Sequence, residues 1–208
     1  MINGSFDLPY EVHPYHDNIF TAHGWRPWWS DKKWPDQDDN PVRPLKTPEY
    51  KAITLLDDAE RVLDGGACQC FFVFAALMNA GVYQQVQVGA GRRCNFTLPF
   101  HTWCSPSDNP RISDWELNVR VGIDTRGGVD YEAESIVWSN WVRGTNEYAS
   151  IGVSAISETD TVTLWVHAWN KWAAKHNDVY LDGAEFEVEG SEPAPTPGDV
   201  LKVETVGP

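Results

Sequence analysis

Chemistry in this chain would have to come from side chains that strand alternation gathers on one face. In the run from Val162 to Trp169, Thr163, Trp165, His167 and Trp169 alternate with Val162, Leu164, Val166 and Ala168. Successive strand residues point to opposite faces, so two indoles and an imidazole would stand together away from the core. From Phe96 to Trp103 the same logic sends Phe96, Leu98 and Phe100 inward and leaves His101 and Trp103 with Thr97 and Pro99 opposite. From Trp115 to Asp124 it buries Trp115, Leu117, Val119, Val121 and Ile123 and turns Glu116, Asn118 and Arg120 outward. A solvated sheet face needs no aromatic side chains, and an exposed group of them marks an interaction site. An indole offers an apolar face and one N–H, and the acid, amide and guanidinium beside it supply hydrogen bonds. That set suits recognition more than bond breaking. Hydrolysis of a glycosidic bond would need two carboxylates about 5 to 9 Å apart, and Glu49 with Glu116 is the pair to test, although no motif accompanies them. The domain is therefore expected to be non-catalytic.

Four cysteines occur as Cys68, Cys70, Cys94 and Cys104. A strand spanning 94 to 104 would hold its ends roughly 33 Å apart, so Cys94 and Cys104 cannot bridge each other. Any disulfide must cross between the two pairs. A zinc site combining these cysteines with His101 would match no standard ligand spacing.

Strands must position these groups. Period-two runs separated by Gly, Pro, Asn and Asp clusters cover 68–75, 82–88, 94–103, 115–124, 149–157, 161–169 and 179–188, with one short helix-like stretch at 57–63. Seven strands and no long helix give an all-β, antiparallel two-sheet β-sandwich of jelly-roll type. Strands 94–103, 115–123 and 161–169 are expected to share one sheet. Residues 26–48 carry five prolines among many charges, read as a long irregular loop, and bring Trp28, Trp29 and Trp34 to one wall of the binding face. Residues 1–190 form the domain, and 191–208 a Pro-rich linker or tail. The chain has 208 residues, 42% of them hydrophobic and 22% charged, which excludes both disorder and a membrane-embedded protein. A net charge of −14 argues against nucleic acid as a partner. No apolar run reaches the length of a membrane span, and Met1-Ile2-Asn3-Gly4 has no signal-peptide character. Eleven tryptophans exceed what packing demands, and about half are expected in the core.

Asn3-Gly4-Ser5-Phe6-Asp7, Ala80-Gly81-Val82-Tyr83-Gln84-Gln85-Val86 and Tyr180-Leu181-Asp182-Gly183-Ala184-Glu185-Phe186 resemble the galactose-binding-like jelly rolls found among carbohydrate-binding modules. A closer likeness is to uncharacterised modules of bacterial secreted and surface proteins. It rests on Gly24-Trp25-Arg26-Pro27-Trp28-Trp29, Thr47-Pro48-Glu49-Tyr50-Lys51, Gly122-Ile123-Asp124-Thr125-Arg126-Gly127-Gly128 and Lys175-His176-Asn177-Asp178. The resemblance implies a structural calcium ion where the first and last strands meet, with Asp7 and Asp182 as the matching carboxylates. It also implies glycan binding at an extracellular, cell-surface or virion-surface location. The expected ligand-binding set is Trp103, Trp165, Trp169, His101, His167, Glu116, Asn118, Arg120, Trp28 and Trp29. The alternative is a structural or decoration jelly roll that assembles with neighbouring subunits through the same Trp-rich face.

Overall fold

Alternating β-branched and aromatic residues pair into strands wherever one side of the run can be buried. The computed structural model describes residues 1–40 and 43–190; the Pro-rich stretch 191–208 lies outside them. Fourteen strands follow in order: β1 (Tyr10–His13), β2 (His16–Ala22), β3 (Arg26–Trp29), β4 (Glu49–Thr54), β5 (Ala67–Phe74), β6 (Asn79–Gln87), β7 (Arg93–Ser105), β8 (Leu117–Asp124), β9 (Ile136–Trp138), β10 (Val142–Arg143), β11 (Ala149–Ile156), β12 (Thr161–Asn170), β13 (His176–Leu181) and β14 (Glu185–Glu189). The helix-like stretch is a single turn, Leu55–Asp58, continued by a 3₁₀ turn over Ala59–Arg61. Among the described residues no helix is long and apolar enough to cross a membrane.

The strands form two facing sheets of a jelly-roll sandwich. The larger runs β1-β2-β4-β5-β13-β7-β11, with β14 also on β7, and the smaller runs β10-β8-β12-β6-β3, with β9 also on β8. Among the described residues the strands pair antiparallel except for a parallel contact between β2 and β4 at Ile19 and Tyr50, and an isolated parallel bridge joins Leu45 to Leu77. The inward set from the sequence holds: Phe96, Leu98, Phe100, Leu117, Val119, Val121, Val162, Leu164 and Val166 are all 0% exposed and lie in one core. About 25 cal/mol per Å² of apolar surface removed from water is the driving force that fixes this register, because a one-residue slip would turn the whole set to solvent.

One expectation about wiring fails. β8 and β12 pair with each other, Arg120 opposite His167, but β7 pairs with β13, β11 and β14 in the other sheet. Alternation dictates which face a residue takes but carries no information about which strand it sits beside. His101 and Trp103 therefore point outward from the opposite side of the sandwich. The loop expected over 26–48 is likewise part strand: β3 pairs with β6 at the sheet's edge, where Pro27 is tolerated. The four cysteines are free thiols.

Candidate functional site

The outer face of the smaller sheet carries the residues that alternation placed there. β12 contributes Trp165, His167 and Trp169, β8 contributes Asn118 and Arg120, and β6 contributes Asn79 and Tyr83 in register beside them. These indoles are not a platform open to solvent. Trp165, His167 and Trp169 are 1%, 0% and 3% exposed, because a second aromatic layer lies on top of them. Trp28 meets Trp165 edge-on, and Tyr131 stacks on Trp28 at 4.6 Å. Trp34 stacks over Trp169, and Trp141 meets the same ring edge-on.

Two glycines make this second layer fit. A Cβ at Gly122 would stand 2.6 Å from the Trp138 ring and 2.8 Å from Ile136, so only hydrogen lets that indole lie against β8. At Gly81 a Cβ would collide with the Val166 carbonyl and the Trp28 indole nitrogen, which donates to that same carbonyl at 3.0 Å. Trp34 is held from below: its backbone N–H donates to the Gln37 side chain, whose amide nitrogen donates to the carbonyls of Met78 at 2.6 Å and Asn170 at 3.0 Å.

Between the walls lies a cleft of about 410 Å³, lined by Lys33, Trp34, Asn79, Arg120, Tyr131 and Trp138 among others. Arg120 is its centre. The guanidinium carbon lies 4.0 Å from the Trp138 ring centroid, 4.3 Å from Trp141 and 5.0 Å from Trp34. Its Nε and one Nη donate to His167 Nδ1 at 3.3 and 3.1 Å. That imidazole nitrogen is therefore an acceptor, and the proton sits on Nε2, which donates to Asn79 Oδ1 at 2.6 Å. Burial, and next the adjacent Arg120 charge, hold the His167 imidazolium far below the usual range, so the ring stays neutral. Burial also lowers Arg120 to about 10. At the rim, Lys32 pairs with Glu132 at 2.9 Å.

The other expected site residues divide as follows. Asn118 is buried and donates to Glu116, which faces Lys171 at 3.5 Å beside a separate, shallower depression. Trp28 is packing within the aromatic layer. Trp29 turns to the core side and meets His13 and His16 edge-on. Glu49 lies in β4 of the larger sheet, whereas Glu116 immediately precedes β8 of the smaller one, so they do not flank a common bond. On the larger sheet, Trp103 stacks on His176 at 3.7 Å, while His101 accepts from the buried Arg61 at 2.8 Å. Burial, then the Arg61 charge, pushes the His101 imidazole down to about 4. Trp34 was foreseen as a wall; Tyr131, Trp138, Trp141 and Asn79 were not. The Trp-x-x-Trp spacing of 138 and 141 is a sequence signal for those two indoles, and Tyr131 and Asn79 have none.

The residues expected to hold calcium do not fit it. Asp7 Oδ1 accepts the backbone N–H groups of Gly66 and Ala67 at 2.7 and 3.0 Å. Asp182 Oδ2 accepts those of Leu63 and Asp64 at 2.7 and 2.9 Å, and its Oδ1 that of Gly183 at 2.8 Å. Positively polarised amides face the oxygens that a cation needs, whereas calcium takes six to eight oxygens. Among the described residues no group of three or more His, Cys, Asp or Glu side chains is placed for a metal ion.

No protein-family model and no curated protein sequence matches the chain. Solved structures do resemble it. One is the module TmCBM61 in complex with β-1,4-galactotriose, with a TM-score of 0.51 and 13% identity over 80% of this chain and 90% of that one. Another is a Stig cyclase from Fischerella sp. TAU in complex with (3Z)-3-(1-methyl-2-pyrrolidinylidene)-3H-indole, with a TM-score of 0.56 and 13% identity over 92% of this chain and 97% of that one. A second Fischerella cyclase structure, holding 4-(1H-indol-3-yl)butan-2-one, gives 0.53 and 14% over 93% and 98%. At such identities the likeness establishes the fold, which is that of carbohydrate-binding modules. It also corrects the expectation of a domain without chemistry: cyclases are built on the same sandwich, so this architecture does not exclude catalysis.

Proposed function

We propose that this chain binds a glycan in the cleft on the smaller sheet. The observation that carries the reading is a preformed concavity in which indole faces stand beside hydrogen-bonding groups. Its volume of about 410 Å³ lies in the range of small-molecule sites. Trp138 and Trp34, both half-buried, supply faces for sugar C–H surfaces. Asn79, Lys33 and Arg120 supply polar contacts at the cleft wall. Trp165, Trp169, His167 and Trp28 act beneath as support. A module of this kind works where polysaccharide is met, outside the cell or on a particle surface.

The test is a glycan array that includes β-1,4-galactan fragments, followed by calorimetry on hits with parent and Trp138→Ala protein. Removing the indole is expected to weaken binding by about 1–3 kcal/mol, as for aromatic anchors generally, with the secondary structure retained. An array without hits, or a hit whose affinity is indifferent to Trp138→Ala, would overturn the assignment.

A further inference from the structure

We infer that the glycan is acidic, with a carboxylate of a uronic-acid residue meeting the guanidinium of Arg120. The inference rests on the cleft being the glycan site, and it adds the charge of the ligand.

The chain carries 30 Asp and Glu against 16 Lys and Arg, so cations here are outnumbered and partners abound. Arg43, Arg61, Arg93, Arg111 and Arg126 each lie within 4 Å of a carboxylate. Arg120 has no carboxylate partner among the described residues, although it is deeper than most of them. Its neighbours are neutral: three indole rings and an imidazole nitrogen that accepts from both Nε and one Nη. The other Nη makes no hydrogen bond among the described residues, and Arg120 lines the cleft.

Taking a charge out of water without a counter-charge is costly, and burial depresses this guanidinium accordingly. Were Arg120 there to donate to hydroxyl groups alone, an amide side chain would serve without that cost. A planar fork, its faces packed by indoles and one edge turned to His167, keeps its remaining N–H groups in the geometry that receives a carboxylate through two parallel hydrogen bonds. The surroundings agree in sign. The Lys33 ammonium stands at the same cleft with a backbone carbonyl, that of Asp38, as its partner. The one acid at the rim, Glu132, is already paired with Lys32.

The probes are matched sugars that differ only at C6: methyl glucuronide, its methyl ester and methyl glucoside; and methyl galacturonide, its methyl ester, methyl galactoside and methyl galactoside 6-sulfate. Binding to the parent protein is followed by calorimetry or ligand-observed NMR, and uronate oligomers are compared with their neutral counterparts. The uronate is expected to bind about 10- to 100-fold more tightly than its ester or alcohol, the scale of one charge-assisted bidentate contact. Arg120→Gln is expected to abolish that preference, bringing acid, ester and alcohol to one common affinity. Equal affinity for acid, ester and alcohol would overturn the acidic ligand while leaving glycan binding in place. Preference for the sulfated sugar alone would overturn the carboxylate. Failure of every acidic and neutral glycan to bind would overturn both readings. If Arg120→Gln does not fold, the comparison of acid, ester and alcohol on the parent chain still decides.

Discussion

Gly122→Ala tests whether the aromatic layer is seated as described. The added Cβ would lie 2.6 Å from Trp138 and 2.8 Å from Ile136, whereas carbon atoms attract best at about 3.5–4.0 Å. The indole must therefore retreat by about 0.9 Å, away from its 4.0 Å contact with Arg120. Overpacking of this kind costs about 1–3 kcal/mol, which for a chain of this length lowers the melting temperature by about 2–12 °C. The sign is the decisive quantity. Gly122 sits in β8, and its φ is not in the left-handed region. With neither the indole nor Ile136 above it, alanine would stabilise the chain by about 0.4–1 kcal/mol through the unfolded state. Thermal melts followed by circular dichroism, on Gly122→Ala, Trp138→Ala and the double variant, measure both the loss and its coupling. The alanine should cost less once Trp138 is gone and only the Ile136 methyl at 2.8 Å must yield, a coupling within the usual 0.5–3 kcal/mol for residues in contact. A Gly122→Ala protein as stable as its parent, or more so, would refute the placement of Trp138 and with it the wall of the cleft.

Three further outcomes are expected. Burial raises the Asp178 carboxyl to about 6, so the folded chain holds this proton more tightly than the unfolded one. The associated stability is full below about pH 4 and is lost as pH rises through 6. Asp178→Asn keeps an acceptor for the Tyr180 hydroxyl and should be more stable than the parent at pH 8 by up to about 3 kcal/mol in urea titrations. The two should converge at pH 4, and because His101 responds in the opposite sense, parent and variant must be compared at equal pH. Burial pushes the Cys68 and Cys104 thiols up to about 12 and raises those of Cys70 and Cys94. A chromogenic disulfide reagent should therefore react slowly with the native chain and rapidly with four thiols in denaturant; fewer than four would reveal a disulfide. Chelation should leave the melting temperature unchanged, since Asp7 Oδ1 and both Asp182 oxygens are taken by amides, and a fall reversed by added calcium would show that a cation displaces those hydrogen bonds.

What the sequence discloses about this chain is the side of a strand, not the company it keeps. The nine inward residues of β7, β8 and β12 follow from alternation and the need to bury them. The same alternation sets Trp165, His167 and Trp169 outward correctly, but whether such a face meets water or another layer depends on long-range contacts. Here Trp34 and Trp28 arrive from the Pro-rich segment, and Trp138 and Trp141 from a stretch with no period at all. Arg120 could be placed on the face, but its lack of a carboxylate partner is a fact about space. Trp103 and His101 were separated from the site because β7 crosses to the other sheet, a consequence of connections that no local pattern encodes.

The Gln37 side chain, buried between the carbonyls of Met78 and Asn170 and the backbone of Trp34, also bears on the timing of recognition. Swinging the Trp34 wall outward would strip a buried amide of its acceptors, at about 1–3 kcal/mol for each group left unsatisfied. An arriving ligand thus meets a Trp34 wall already held in place, so little of the wall's ordering is left for binding to supply. Discrimination between ligands then resides in how long each one stays and not in how readily each one enters.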